Sequence, residues 1–184
     1  MRILGIDPGS LATGFGIVER DEQNVVHVAH GTIRAPRGDG LAKKLGVIHR
    51  EIVRVIEEFR PDLAVIERVF VSANPRSAIV LGQARGAALA ALGAAGLSVH
   101  ELAAREIKKA VVGTGTASKV QVQTMVADLL KLDTKPQADA ADALAAAICH
   151  ANTNRLAGLG VVGAKRRRAR RPTSEAQLAR GRVR

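Results

Sequence analysis

Two short apolar runs that each end in an acidic residue constrain this chain more than any other feature. Residues 2–7 read Arg-Ile-Leu-Gly-Ile-Asp, and residues 63–67 read Leu-Ala-Val-Ile-Glu. Apolar runs of this length are typical of strands buried inside a sheet. A charged side chain is costly to bury, so a carboxylate at the end of such a strand needs a partner or performs chemistry. We therefore expect Asp7 and Glu67 at the rim of a buried sheet.

The remaining segments predict an α/β fold, with a mixed β-sheet flanked by helices. Apolar residues from Leu41 to Phe59 recur at steps of four and three, which is the pattern of one helical face, and Pro61 marks its end. Further strands are predicted at 13–19, 25–33 and 97–102, and further helices at 77–92, 103–111, 119–131 and from Pro136 to about His150.

A third segment adds Asp139 and Asp142, which are three residues apart and share one face of the predicted final helix. Each acid has a simpler explanation, because Asp139 and Asp142 could stabilise a helix N-terminus, Asp7 could form a turn before Pro-Gly, and Glu67 could pair with Arg68. Jointly, however, four clustered carboxylates repel one another unless cations bind, and Mg²⁺ prefers oxygen ligands. The set indicates a two-metal site that cleaves phosphodiesters.

The distribution of charge predicts a folded domain over residues 1–152 and a basic, disordered tail over residues 153–184. The chain of 184 residues has a formal charge of +11, and residues 151–184 contain ten Lys or Arg but one acid. Such a tail attracts polyanions. The single Cys149 forms no internal disulfide, and no signal peptide is visible. The longest uncharged stretch, Gly86–Val99, is 14 residues, which is short for a membrane span. We therefore expect a cytoplasmic protein.

Other side chains leave two interpretations open. Phe70, three residues after Glu67, fits either a core position or an exposed ring on which an unpaired base stacks. Lys108 and Lys119 fit either a solvated surface or a path for DNA phosphates beside the acids. The five His residues have no evident metal-ligand spacing and are expected to be structural or exposed.

Several motifs, in order and with matching spacing from Met1 to about His150, resemble the RuvC family of bacterial Holliday-junction resolvases. They are Ile-Leu-Gly-Ile-Asp7-Pro-Gly-Ser, Ile66-Glu67-Arg-Val-Phe70, Leu81-Gly-Gln-Ala-Arg-Gly86, Val111-Val-Gly-Thr-Gly-Thr-Ala-Ser-Lys119 and Pro136-Gln-Ala-Asp139-Ala-Ala-Asp142.

This resemblance implies an RNase H-like fold in which Asp7, Glu67, Asp139 and Asp142 bind two Mg²⁺ ions, for which Mn²⁺ can substitute. It also implies that Phe70 inserts at unpaired junction bases and that Lys108 and Lys119 contact the DNA backbone. Members act as homodimers on four-way junctions, in recombination and repair, with a branch-migration complex of the RuvA and RuvB type.

The competing interpretations are an actin-like ATPase, another RNase H-like nuclease, or a junction-binding module without activity. The ATPase would need a second lobe, for which 184 residues leave no room.

Overall fold

The computed structural model describes residues 1–21, 24–36, 38–68 and 74–158, with side chains as far as residue 153. A five-stranded mixed sheet forms its centre, in the spatial order β3-β2-β1-β4-β5. The first three strands form an antiparallel meander, and β4 and β5 extend it in parallel from β1. The strands are β1 (Arg2–Asp7), β2 (Ala12–Arg20), β3 (Val25–Arg34), β4 (Leu63–Arg68) and β5 (Ser98–Ala103).

Helices cover both faces of the sheet, as the sequence predicts. They are α1 (Leu41–Phe59), α2 (Pro75–Ala94), α3 (Ala104–Val112), α4 (Lys119–Leu130) and α5 (Ala138–Gly158). The last helix differs from the prediction at both ends. Pro136 precedes it, because the Gln137 carbonyl accepts the first helical hydrogen bond, from the Ala141 amide at 2.8 Å. The helix also continues beyond His150. Phe70 and residues 159–184 lie outside the described residues.

The two-residue period of the strands decides which side chains meet which helices. Ile3 and Val65 point to the face covered by α3, α4 and α5. Leu4 and Ile66, one position further along each strand, point to the face covered by α1 and α2. Because alternate residues of a strand point to the same face, Asp7 lies on the α5 face with Ile3, and Glu67 lies on it with Val65.

Glycines in the central strands let α5 lie directly against the sheet. A Cβ atom added at Gly5 would overlap the Ala143 carbonyl oxygen, and one added at Gly14 would overlap the Asp139 carbonyl oxygen. The facing side of α5 is correspondingly small, with Ala140, Ala143 and Ala147 almost completely buried. The height of α5 above the sheet is thus set by backbone-to-backbone contact.

One helix in the described part of the chain, α2, is long and apolar enough to meet the length and composition criteria for crossing a membrane. Its inner face, with Ala84 and Ala88, is fully buried in the core that it shares with α1 and the sheet. Arg85, near its middle, forms an ion pair with Glu101 of β5 at 2.6 Å. We therefore interpret α2 as a packing helix of the fold, since a membrane interior would not solvate that pair.

Candidate active site

Asp7 and Glu67 lie at the same edge of the sheet because their strands are neighbours and run in the same direction. Asp7 is the last residue of β1, and the β1–β4 pairing brings Ile6 opposite Ile66, one residue before each acid. Both side chains line a pocket of about 190 Å³ on the α5 face. Both acids therefore lie at the rim of the buried sheet, as the two apolar runs predicted.

The first turns of α5 bring the second pair of acids above this edge. Asp142 lines the same pocket as Asp7 and Glu67. Asp139 does not line it, but its charge raises the pKa values of both Asp7 and Asp142. The contact between Gly14 and the Asp139 backbone fixes this end of the helix. Three of the four predicted acids thus share one cavity, and the fourth lies within electrostatic reach.

Burial and the repulsion between neighbouring carboxylates raise the pKa values of Asp7, Glu67 and Asp142. Burial raises the pKa of Asp7 from 3.8 to about 8, with further contributions from Glu67, Asp142 and Asp139. Burial also raises the pKa of Glu67 and that of Asp142. At neutral pH the metal-free pocket therefore retains at least the proton of Asp7, which a bound cation would displace.

Two lysines bring positive charge to the pocket, as expected. Lys119, the first residue of α4, places its Nζ 3.6 Å from Oδ2 of Asp142. Lys108 of α3 lines the same cavity, and both ammonium groups lower the pKa values of Glu67 and Asp142. The Lys119 side chain is 69% exposed, so its pairing with Asp142 is weak and its charge remains available to an incoming anion.

The donor chemistry of this pocket fits a hard divalent cation. Its acids offer only oxygen ligands, and two lysines do not bring their pKa values back to the ordinary range. Among the described residues, no three His, Cys, Asp or Glu side chains are placed to hold one ion between them. An ion would therefore have to draw the carboxylates together from the positions seen here.

Arg85 is a neighbour of this site whose role the sequence did not reveal. Its Nε donates to the backbone carbonyl of Glu67 at 3.4 Å, and its other end pairs with Glu101 at 2.6 Å. The guanidinium thus ties α2 to the ends of β4 and β5, at the edge of the sheet that carries Asp7 and Glu67. The motif Leu81–Gly86 identified the residue, but a contact to a main-chain oxygen has no signature in sequence.

Comparison with known proteins identifies the family. The family profile "Crossover junction endodeoxyribonuclease RuvC" matches residues 3–150. A protein of that name from Bordetella avium is 54% identical over 156 residues, which are 85% of this chain and 86% of the relative.

The solved structures agree with this assignment. Thermus thermophilus RuvC in complex with Holliday junction substrate has a TM-score of 0.79 at 31% identity, covering 88% of this chain and 97% of the other. The yeast mitochondrial Holliday junction resolvase shares only the fold, with a TM-score of 0.62 at 12% identity, over 85% of this chain and 82% of the other. The predicted RNase H-like architecture is thereby confirmed, and the chain belongs to the RuvC family of crossover junction endodeoxyribonucleases, nucleases that act on DNA.

Proposed function

We propose that this protein resolves four-way DNA junctions by paired, symmetric, Mg²⁺-dependent nicks. The observation that carries the proposal is the acidic pocket formed by Asp7, Glu67 and Asp142, in a chain of the crossover junction endodeoxyribonuclease family. The family relationship supports the substrate. The pocket supports hydrolysis of a phosphodiester at a cation site.

The RuvC family consists of metal-dependent nucleases, and we assign the metal here as Mg²⁺. Asp7, Glu67, Asp139 and Asp142 would hold two ions, and Mn²⁺ would be accepted by the same oxygen ligands. Two such ions supply Lewis acidity at the scissile phosphate and activate water for in-line attack. Asp7 must give up its proton before it can act as a ligand, because its pKa in the free protein is about 8.

Lys108 and Lys119 attract and orient the phosphate backbone beside these acids. In the DNA-free protein the ammonium group of Lys119 is 3.6 Å from Asp142. With a cation held by that carboxylate, the Lys119 ammonium would be free to contact a DNA phosphate. In this proposal water attacks the phosphorus and the 3′ oxygen leaves, so that the cleaved strands carry 5′-phosphate and 3′-hydroxyl ends.

Phe70 is assigned by resemblance as the residue that inserts at unpaired bases of the junction. Substituting it with Ala should leave the metal site intact and reduce cutting of intact junctions. We also propose that the enzyme works with a branch-migration complex of the RuvA and RuvB type, and in the cytoplasm, where its DNA substrate lies.

The enzyme acts as a homodimer in this proposal, because two opposed strands must be cut. The exposed face of α2 supports it: this apolar helix leaves Ile79 63% exposed beyond its buried alanine face. Ile79→Glu should convert dimers to monomers in sedimentation experiments. Leu129→Glu, at a residue of α4 that is 47% exposed, is the matched control. Equal oligomeric states for both variants would remove α2 from the interface.

The decisive experiment is incision of a synthetic four-way junction labelled on each strand. With Mg²⁺ the protein should make paired nicks that DNA ligase can reseal, and EDTA should abolish them. Linear duplex and an RNA–DNA hybrid are the control substrates. Binding without incision in Mg²⁺ or Mn²⁺ would identify a non-catalytic junction-binding protein, and preferential cleavage of the hybrid would identify a different nuclease.

A further inference from the structure

Two histidines on the edge strand β3 form a pair on the molecular surface. Nε2 of His27 and Nδ1 of His30 are 2.8 Å apart and share one hydrogen bond, whose donor depends on the tautomer. The ring centroids are 4.9 Å apart and the ring planes are inclined at 59°. Neither residue lines the acidic pocket.

A β-bulge is the reason these two rings meet. Residues three apart in a regular strand point to opposite faces of the sheet. Here the pairing of β2 with β3 passes from Ile17 opposite Ala29 to Val18 opposite His27, so Val28 is an extra residue in β3. The inserted residue restores the alternation and turns His27 and His30 to the same side.

The pair faces a groove of about 410 Å³ beside the loop that follows α4. Lys131 and Asp133 contribute the charged groups of that groove. Burial lowers the pKa of both histidines, and the neighbouring His30 lowers that of His27 further. Both imidazoles are therefore neutral at neutral pH, which is the form that binds metal ions.

The spacing of the two nitrogens matches one class of ion. Metal–imidazole bonds are about 2.0–2.1 Å long, so an ion bound to two nitrogens 2.8 Å apart would see them at an angle of about 85–90°. Square-planar and octahedral ions place neighbouring ligands at about 90°, whereas a tetrahedral ion requires about 109°. The separation is closer to the ligand spacing of a square-planar or octahedral ion than to that of a tetrahedral one, and Cu²⁺ and Ni²⁺ bind nitrogen ligands in such geometries.

We propose that His27 and His30 form a two-imidazole chelate for Cu²⁺ or Ni²⁺, separate from the oxygen-ligand pocket at the other end of α4. The ring that donates the shared hydrogen bond changes tautomer, so that its proton moves through water to its other ring nitrogen, and both rings turn so that their lone pairs converge on the ion. Water fills the remaining positions, because no third His, Cys, Asp or Glu among the described residues is placed to complete a site. Mg²⁺ does not compete here, since it prefers oxygen ligands.

Copper binding to the full-length protein tests this site. Cu²⁺ is titrated in excess Mg²⁺, which occupies the acidic pocket, and is followed by electron paramagnetic resonance. We expect one Cu²⁺ with hyperfine coupling to two nitrogens. His27→Gln and His30→Gln should each weaken binding at least about tenfold and remove one nitrogen coupling, since a second ligand held in place multiplies affinity. His49→Gln, on α1, is the matched control and should bind as the wild type does.

Unchanged Cu²⁺ affinity and unchanged two-nitrogen coupling in both single variants would overturn the proposal, as would an equal loss in His49→Gln. Circular dichroism melting of each variant separates loss of the site from loss of the fold. Retention of the untagged protein on a Ni²⁺ resin gives a second readout, and it should disappear in either variant of the pair. Junction cutting in Mg²⁺ should be the same in all of them, so failure here is distinguishable from failure of the proposed nuclease function.

Discussion

The two faces of the central sheet are built on different packing principles. On one face, α5 rests on glycines, and backbone atoms meet backbone atoms at Gly5 and Gly14. On the other, α1 is held by large aliphatic side chains such as Ile6, Ile48 and Ile52, which are almost fully buried. Side-chain packing tolerates some repacking, whereas contact between backbones does not. The acids lie on the face whose geometry cannot adjust.

The largest effect that tests this contrast is removal of one acid from the α5 face. Asp7→Asn should reduce the rate of junction cutting by more than about 100-fold, because a neutral amide is a poor metal ligand. This loss would exceed the one caused by removing a residue that only supports a metal ligand, which is about 10- to 100-fold. Junction binding should persist. Glu19→Gln, an exposed acid of the same hairpin, is the control and should cut normally. Near wild-type cutting by Asp7→Asn would exclude this residue as a ligand.

The same substitution should change how stability depends on pH in the metal-free protein. Folded Asp7 keeps its proton to about pH 8, whereas the unfolded residue loses it near pH 4. Wild-type stability therefore falls as pH rises from 4 to 8, by up to about 1.4 kcal/mol per pH unit, and Asp7→Asn removes this loss. Chemical denaturation at pH 5, 6.5 and 8 measures the difference.

Glu19 should show the opposite sign, which makes it the internal control. Arg2 lowers the pKa of Glu19 through a hydrogen bond and through its charge. The contribution of Glu19 is thus present at neutral pH and is lost as pH falls through the lowered pKa. Identical pH profiles for Asp7→Asn and wild type would show that Asp7 is already ionised in the free protein.

A glycine substitution on each face compares the two kinds of packing directly. Gly14→Ala should lower the free energy of unfolding by about 1–3 kcal/mol, because the new methyl group forces α5 away from the sheet. Displacing Asp139 and Asp142 by about 1 Å should also reduce cutting by about 100-fold. Gly46→Ala lies in α1, where nothing is within 4 Å of the new Cβ. It should raise the free energy of unfolding by at most about 1 kcal/mol and leave the cutting rate unchanged. Equal effects would mean that the glycine contacts do not position the acids.

The smallest expected effect concerns Arg85, which reaches from α2 to the sheet edge that carries Asp7 and Glu67. Arg85→Ala should lower the free energy of unfolding by about 1 kcal/mol, which is typical for the loss of a hydrogen bond. It should also reduce the cutting rate by about tenfold. Arg85→Lys should restore the charge near Glu101 without the second contact to Glu67. Arg54→Ala, which breaks the exposed pair with Glu51, is the control and should change neither the stability nor the cutting rate. An unaltered cutting rate in Arg85→Ala would make the contact purely structural.

The sequence predicted this fold and site where a local pattern encodes them. Apolar runs locate β1 and β4 and leave Asp7 and Glu67 at their ends, and the spacing of Asp139 and Asp142 puts both on one helical face. The glycine contacts under α5 were not predictable, because they depend on which helix crosses which strand. The Leu81–Gly86 motif includes Arg85, but its contacts with the Glu67 carbonyl and with Glu101 were not predictable, because they depend on how α2 packs against β4 and β5. The His27–His30 pair was missed because residues three apart in a strand diverge unless a bulge intervenes.

A single helix, α5, touches four of the five strands as well as α3 and α4, and it also presents Asp139 and Asp142. The helix that makes the most contacts across this face of the sheet is therefore also the one that positions these two acids. A substitution that changes how α5 packs on the sheet would move both carboxyl groups at once. Substitutions intended to raise the thermal stability of this enzyme are therefore best made in α1, where a change in packing does not displace Asp139 or Asp142.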